Sequence, residues 1–110
     1  MEWQFIFVHV RYSMLSKSQI RYLRGLANTL KQNYQIGKYE ISDTLIDMLS
    51  NALDKYELIK ISINRSVVEY KESFANELVE ILHAELIQII GGVIVLYRKN
   101  LKEPKIKLPK

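Results

Sequence analysis

LIQIIGGVIVLYRK, residues 86–99, sets two β-rich runs on either side of Gly91-Gly92. Glycine accepts the positive φ that a two-residue primed turn demands, so this stretch predicts an antiparallel hairpin. Upstream, LIKISIN (58–64) alternates: Ile59, Ile61 and Ile63 share one face, and Lys60 and Ser62 share the other. A period of two is that of a strand. YQIGK (34–38) predicts a shorter strand that ends in a turn.

Three helical patterns separate these strands. SKSQIRYLRGLANTLK (16–31) opens on Ser16 with Gln19 three residues later, a capping box in which each side chain takes the other's backbone amide. Ile20, Leu23, Ala27 and Leu30 follow at helical spacing. ISDTLIDMLSNALDKYE (41–57) predicts a second helix capped by Ser42 or Asp43, with Leu45, Met48, Leu49, Ala52 and Leu53 as its buried stripe. Methionine packs well into irregular gaps, so Met48 reads as core filler. VVEYKESFANELVEILHAE (67–85) predicts a third, with Phe74, Leu78, Ile81 and Leu82 inward and Glu69, Glu72, Glu77 and Glu80 toward water.

The resulting order is α-β-α-β-α-β-β. The βαβ crossovers favour parallel strands and the hairpin is antiparallel, so the sheet is mixed. The expected fold is an α/β domain of the α+β two-layer kind, with three helices on a mixed four-stranded sheet. The tail LKEPKIKLPK (101–110) holds both prolines and fits either a segment laid along the domain or a loose end.

The chain has 110 residues, 48% of them apolar, enough for one compact domain with its own core. It has no cysteine, hence no disulfide framework and no thiolate metal site. No apolar run reaches membrane-span length, and the start lacks a basic n-region and a small-residue cleavage site. The expected location is the cytoplasm, with no membrane partner. Nothing in the sequence speaks to oligomeric state.

Charge is unevenly placed. From Trp3 to Tyr39 there are six basic residues (Arg11, Lys17, Arg21, Arg24, Lys31, Lys38) and no acidic one. Ten of the twelve acids fall between Glu40 and Glu85, and residues 98–110 then hold six basic residues against Glu103 alone. Such segregation builds a positive face that attracts a polyanion; incidental clustering on a solvated surface is the alternative. On the first helix Lys17, Arg21, Arg24, Asn28 and Lys31 follow one another at steps of four, three, four and three, which is one stripe.

Catalytic constellations are missing from the pattern. His83, at the end of the third helix, suits the carbonyl dipoles there, and metal sites need several ligands at matched spacing. There is no P-loop and no G-x-S-x-G elbow. The sequence therefore predicts a binding module without cofactor, metal or enzymatic activity.

Taken in order, LSKSQIRYLRGLANTLKQNYQIGKYEIS (15–42), LIDMLSNALDKYELIKISI (45–63) and LIQIIGGVIVLYRKN (86–100), with KIKLP near the end, resemble the CRM domain of the YhbY type, named for chloroplast RNA splicing and ribosome maturation. The resemblance runs from about Met14 to Leu108. It implies a fold similar to the C-terminal domain of bacterial translation initiation factor three. It also implies RNA binding, in bacterial single-domain members with precursors of the large ribosomal subunit. A protein-interaction module on the ribosome or a pre-ribosomal particle is the alternative. The family carries a G-x-x-G loop after the first strand, usually with lysine behind the first glycine, similar to the loop by which KH domains clamp a nucleic-acid backbone. The matching residues here are Gly37, Lys38, Tyr39 and Glu40. Glu40 replaces the second glycine; it resists positive φ and repels phosphate, so the loop is a phosphate contact in weakened form, or a simple turn. Tyr39 fits a base-stacking role or an ordinary packed or exposed tyrosine.

The expected RNA contacts are thus Lys17, Arg21, Arg24, Lys31, Gly37, Lys38, Tyr39, Arg98 and Lys99. Residues 1–13 lie outside the resemblance, as an extension before a CRM-like domain over 14–110. EWQFIFVHVRYS (2–13) is apolar on both faces of a strand, which fits an added strand, an intermolecular contact or translation from an upstream start codon.

Overall fold

A computed structural model of the chain describes residues 15–30, 34–36, 41–63 and 70–110. The N-terminal extension, Lys31, the Gly37–Glu40 loop and Glu69 lie outside the described residues. The elements run α1 (Lys17–Ala27), β1 (Tyr34–Ile36), α2 (Asp43–Tyr56), β2 (Leu58–Ile63), α3 (Lys71–Leu82), β3 (Glu85–Ile90) and β4 (Val93–Tyr97). The expected order of three helices and four strands is the observed one.

Local chemistry sets most boundaries. Ser16 Oγ accepts from the Gln19 amide at 3.2 Å while Gln19 Oε1 accepts from the Ser16 amide at 3.0 Å, the reciprocal capping box. Ser42 caps α2 by accepting from the Leu45 amide at 3.1 Å. The α1 helix ends at Ala27, a turn earlier than its apolar spacing predicts, with Asn28 as its C-cap. Gly91, at φ +57°, makes the β3–β4 turn.

The sheet order is β1-β2-β4-β3, with β1 parallel to β2 and β4 antiparallel to both β2 and β3. A register shift between Leu86 and Gln88 marks a bulge at Ile87.

The three helices of this α+β fold divide between the two faces of the mixed sheet. One core cluster joins Ile59, Ile61 and Ile63 of β2 and Ile94 and Leu96 of β4 to Leu49 and Leu53 of α2 and to Phe74 and Leu78 of α3. A second cluster, on the other face, joins Leu58, Ile87, Val95 and Tyr97 to Leu23 and Ala27 of α1. Helices α2 and α3 therefore cover one face and α1 covers the other. Strand β4 is apolar on both sides because both sides are covered, whereas β2 turns Leu58, Lys60 and Ser62 toward the α1 side.

Two expected core residues are surface residues. Met48 is 41% exposed and Ile81 is 47% exposed. At about 100° per residue, each lies roughly a quarter-turn from the centre of its helix's buried face. Partly buried Ile46 takes the place expected for Met48, and buried Ala75 and Val79 flank Leu78 on α3. Among the described residues, no helix is long and apolar enough to cross a membrane.

Candidate RNA interface

The two faces of the sheet carry opposite charge. Asp43, Asp47 and Asp54 on α2 and Glu72, Glu77 and Glu80 on α3 are all exposed, on the layer that covers one face. Lys17, Arg21 and Arg24 are exposed on α1, which covers the other. Lys55 and Lys71 are the basic exceptions on the acidic layer.

Arg24 has a second task. Its Nε donates to the carbonyl of Ile87, the bulged residue of β3, at 3.3 Å. Arg24 thereby ties α1 to the edge strand while its side chain remains exposed.

Arg98 and Lys99 part company. Side chains alternate along an extended segment, so Arg98 continues the Ile94–Leu96 face and Lys99 the Val95–Tyr97 face. Arg98 Nη1 donates to the carbonyl of Leu82 at 2.9 Å. Its Nη2 donates to Ser50 O at 2.8 Å, to Ser50 Oγ at 3.1 Å and to Asp54 Oδ1 at 2.9 Å. The guanidinium is committed to clamping the end of β4 onto α2 and α3, and it points away from the α1 face. Arg98 is a structural residue and not a free phosphate contact. Lys99 is exposed on the α1 side.

The tail lies along the domain. Asn100 starts the reversal: its Nδ2 donates to Asp54 O at 2.9 Å, and its Oδ1 accepts from the amides of Lys102 (3.0 Å) and Glu103 (3.1 Å). Residues 105–108 then alternate, with Ile106 and Leu108 against the second core cluster and Lys105 and Lys107 exposed. Gln19 Nε2 donates to Pro109 O at 3.0 Å and joins the tail to α1.

Glu57 holds this tail. It is fully buried at 0% exposure and follows the last turn of α2 at φ +66°. Its Oε1 accepts from the amides of Lys105 (2.8 Å) and Ile106 (2.6 Å), and its Oε2 from the amide of Asn100 at 2.6 Å. Three backbone amides thus satisfy the buried carboxylate. Its backbone also serves: the Glu57 carbonyl accepts from the Arg98 amide at 2.8 Å.

A model of the CRS1/YhbY (CRM) domain family matches residues 15–98. The chain belongs to this family. It is 38% identical over 96 residues to YqeI of Bacillus subtilis, named a probable RNA-binding protein, covering 87% of this chain and 100% of that one. It is 34% identical over 96 residues to a Haemophilus influenzae RNA-binding protein, covering 87% of this chain and 96% of the other. The solution structure of SAV1595 from Staphylococcus aureus superposes with a TM-score of 0.72 at 38% identity, over 87% of this chain and all of that one.

In this CRM domain the predicted site residues divide by position. Lys17 and Arg21 are brought together on the outside of α1, with Arg24 beside them and Lys99 beyond the end of β4. The chain enters the Gly37–Lys38–Tyr39 segment from Ile36, which pairs with Ile63, and the Ile63 amide donates to Gly92 O at 2.7 Å. Ile36 is therefore at the hairpin end of the sheet, whereas Lys99 is at the opposite end. Four residues of strand, about 13 Å, separate the Leu58–Tyr97 and Ser62–Val93 pairs that mark these ends. Among the described residues, no group of three His, Asp or Glu side chains is placed to hold a metal. Exposed His83 forms the C-cap of α3 at φ +55°.

The sequence reading missed Glu57 and the tail lysines as a unit. One signal was available: KIKLPK alternates charged and apolar residues like a strand laid on a core. Beneath the tail, burial together with Glu57 and Glu85 pushes the Tyr97 hydroxyl from 10.0 to about 12. The folded state thus favours neutral Tyr97, and the stability this gives is present below pH 10 and lost as pH rises from 10 to 12. A two-unit shift corresponds to roughly 2–3 kcal/mol. Urea denaturation across pH 9–12 is expected to show this step in the native protein and a flatter profile in Tyr97→Phe. An equal step in both would assign it to other groups.

Proposed function

We propose that this CRM domain binds RNA, and that its RNA is ribosomal RNA of an assembling large subunit in the cytoplasm. The observation that carries the reading is the exposed Lys17–Arg21–Arg24 stripe on the face of the sheet opposite the acidic helices. A polyanion approaching this domain meets attraction on one side and repulsion on the other, which orients it before contact. The names of the Bacillus and Haemophilus relatives support the same ligand class. Lys99 extends the surface at one end. Lys38 and Lys31, with Gly37 and Tyr39, are the proposed contacts in the segments next to β1. Binding rests on phosphate contacts and shape and needs no bond making; the proposed role is not enzymatic.

The test is a salt titration of binding to a fluorescent RNA oligonucleotide. Each phosphate contact on a single strand contributes about 0.7 to the slope of log affinity against log salt. About five contacts predict roughly a hundredfold loss between about 50 and 200 mM salt. Lys38→Ala is expected to lower the slope by about 0.7 if its loop meets the backbone. Affinity that does not change with salt would instead favour docking through an apolar surface to a protein of the ribosome or a pre-ribosomal particle.

A further inference from the structure

The tail and the first turn of α1 enclose a cleft of about 460 Å³, within the on-the-order-of 300–1,000 Å³ range of small-ligand sites. Lys99, Lys105, Lys107 and Lys110 line it, and among the described residues no Asp or Glu side chain does. None of these four lysines forms an ion pair with a described residue. Pro104, Ile106, Leu108 and Pro109 supply apolar surface, and Gln19 and Tyr97 complete the lining. All of this tail lies beyond the residues that match the family model, a match that ends at Arg98. Its path is nevertheless determined, because Glu57 holds it at three amides.

We propose that this cleft seats an unstacked nucleotide of single-stranded RNA, with backbone phosphates on the lysines and a base against the apolar wall. The inference rests on the RNA-binding reading above and adds to it a place and a strand state. Three features select the ligand. Lys105 and Lys107 lie two residues apart on an extended segment, so both face the same way at a spacing comparable with successive phosphates of an extended strand. Apolar surface next to a basic rim is the combination that single-strand sites use, the base taking the first and the backbone the second. A duplex keeps its bases stacked inside and leaves the wall uncovered, and an acidic peptide uses the lysines alone. Gln19 lines the cleft from α1, the helix whose other face carries Lys17, Arg21 and Arg24.

The experiment compares the full chain with Lys105→Ala/Lys107→Ala and, as a control on the acidic layer, Lys55→Ala/Lys71→Ala. The probes are a single-stranded RNA 12-mer, a duplex of the same length and polyglutamate. The tail variant is expected to bind the single strand about tenfold more weakly at low salt and to lower the salt slope by about 1.4, two contacts' share. The control is expected to keep the native slope. Photocrosslinking of a 4-thiouridine 12-mer is expected to label a peptide within residues 99–110. Native affinity and slope in the tail variant, with a Lys17→Ala/Arg21→Ala variant still impaired, would overturn the cleft and leave the RNA reading standing. A native protein that shows no salt-dependent RNA binding would overturn both. Equal affinity for duplex and single strand overturns the single-strand seat. Loss of polyglutamate binding with RNA binding intact identifies an acidic-peptide site instead.

Discussion

Glu57→Ala is expected to lower the melting temperature by on the order of 10–20 °C and to release the C-terminal tail to proteases. The three amides of Asn100, Lys105 and Ile106 lose their acceptor together. A hydrogen bond to a charged group contributes about 1.5–3 kcal/mol, but a freed tail recovers water as its partner, so the net loss is about 2–3 kcal/mol. A domain of this size shifts by about 4–8 °C per kcal/mol. Detachment also uncovers the second core cluster, against which Ile106 and Leu108 now pack. Glu57→Gln is expected to fall between the two. Its amide oxygen can still accept from Lys105 and Ile106, while its NH2 faces the Asn100 amide, which is also a donor. Thermal denaturation followed by circular dichroism, with limited proteolysis and mass analysis of the released end, checks both parts. A native melting temperature in Glu57→Ala would show that the tail is held without Glu57, by its apolar contacts and its bonds through Asn100 and Gln19.

Lys17→Glu/Arg21→Glu is expected to weaken RNA binding by about a hundredfold at low salt and to leave the melting temperature unchanged. Both side chains are exposed on α1, outside the capping box and the buried Leu23–Ala27 face. Each reversal removes an attraction and adds a repulsion; four such terms of about 0.7 kcal/mol make about 3 kcal/mol, or two decades of affinity. The effect shrinks as salt rises, because screening removes both parts. Arg24 is kept in this variant, since its bond to Ile87 O ties α1 to β3 and its loss mixes folding with binding. Fluorescence anisotropy across a salt series, with circular dichroism as the folding control, decides the matter. Native RNA affinity in the folded variant would remove the α1 stripe from the interface.

The amino-acid sequence by itself determined the type and order of every described element. The Ser16–Gln19 capping box, the Gly91-Gly92 turn and the alternation of Ile59, Ile61 and Ile63 are each written within a few residues, because their hydrogen bonds and periodicities are local. The same local patterns carried the family resemblance. Tertiary structure decided what local patterns leave open. Leu58 and Ile59 are both apolar, and only the docking of α1 on one face and of α2 and α3 on the other makes a layer for each. That docking turned an acidic middle and two basic ends into two oppositely charged faces. It placed neighbouring Arg98 and Lys99 on different sides, one a clamp on Ser50 and Asp54 and the other open to water. Met48 and Ile81 sit at the margins of helical stripes, where exposure depends on how far the neighbouring element reaches. Glu57 reads as an ordinary surface acid at the end of a helix, because its three partners lie 43 to 49 positions away in the chain. A buried carboxylate held by distant backbone amides leaves no periodic trace, since backbone amides are the same in every sequence and only the fold brings these three to it.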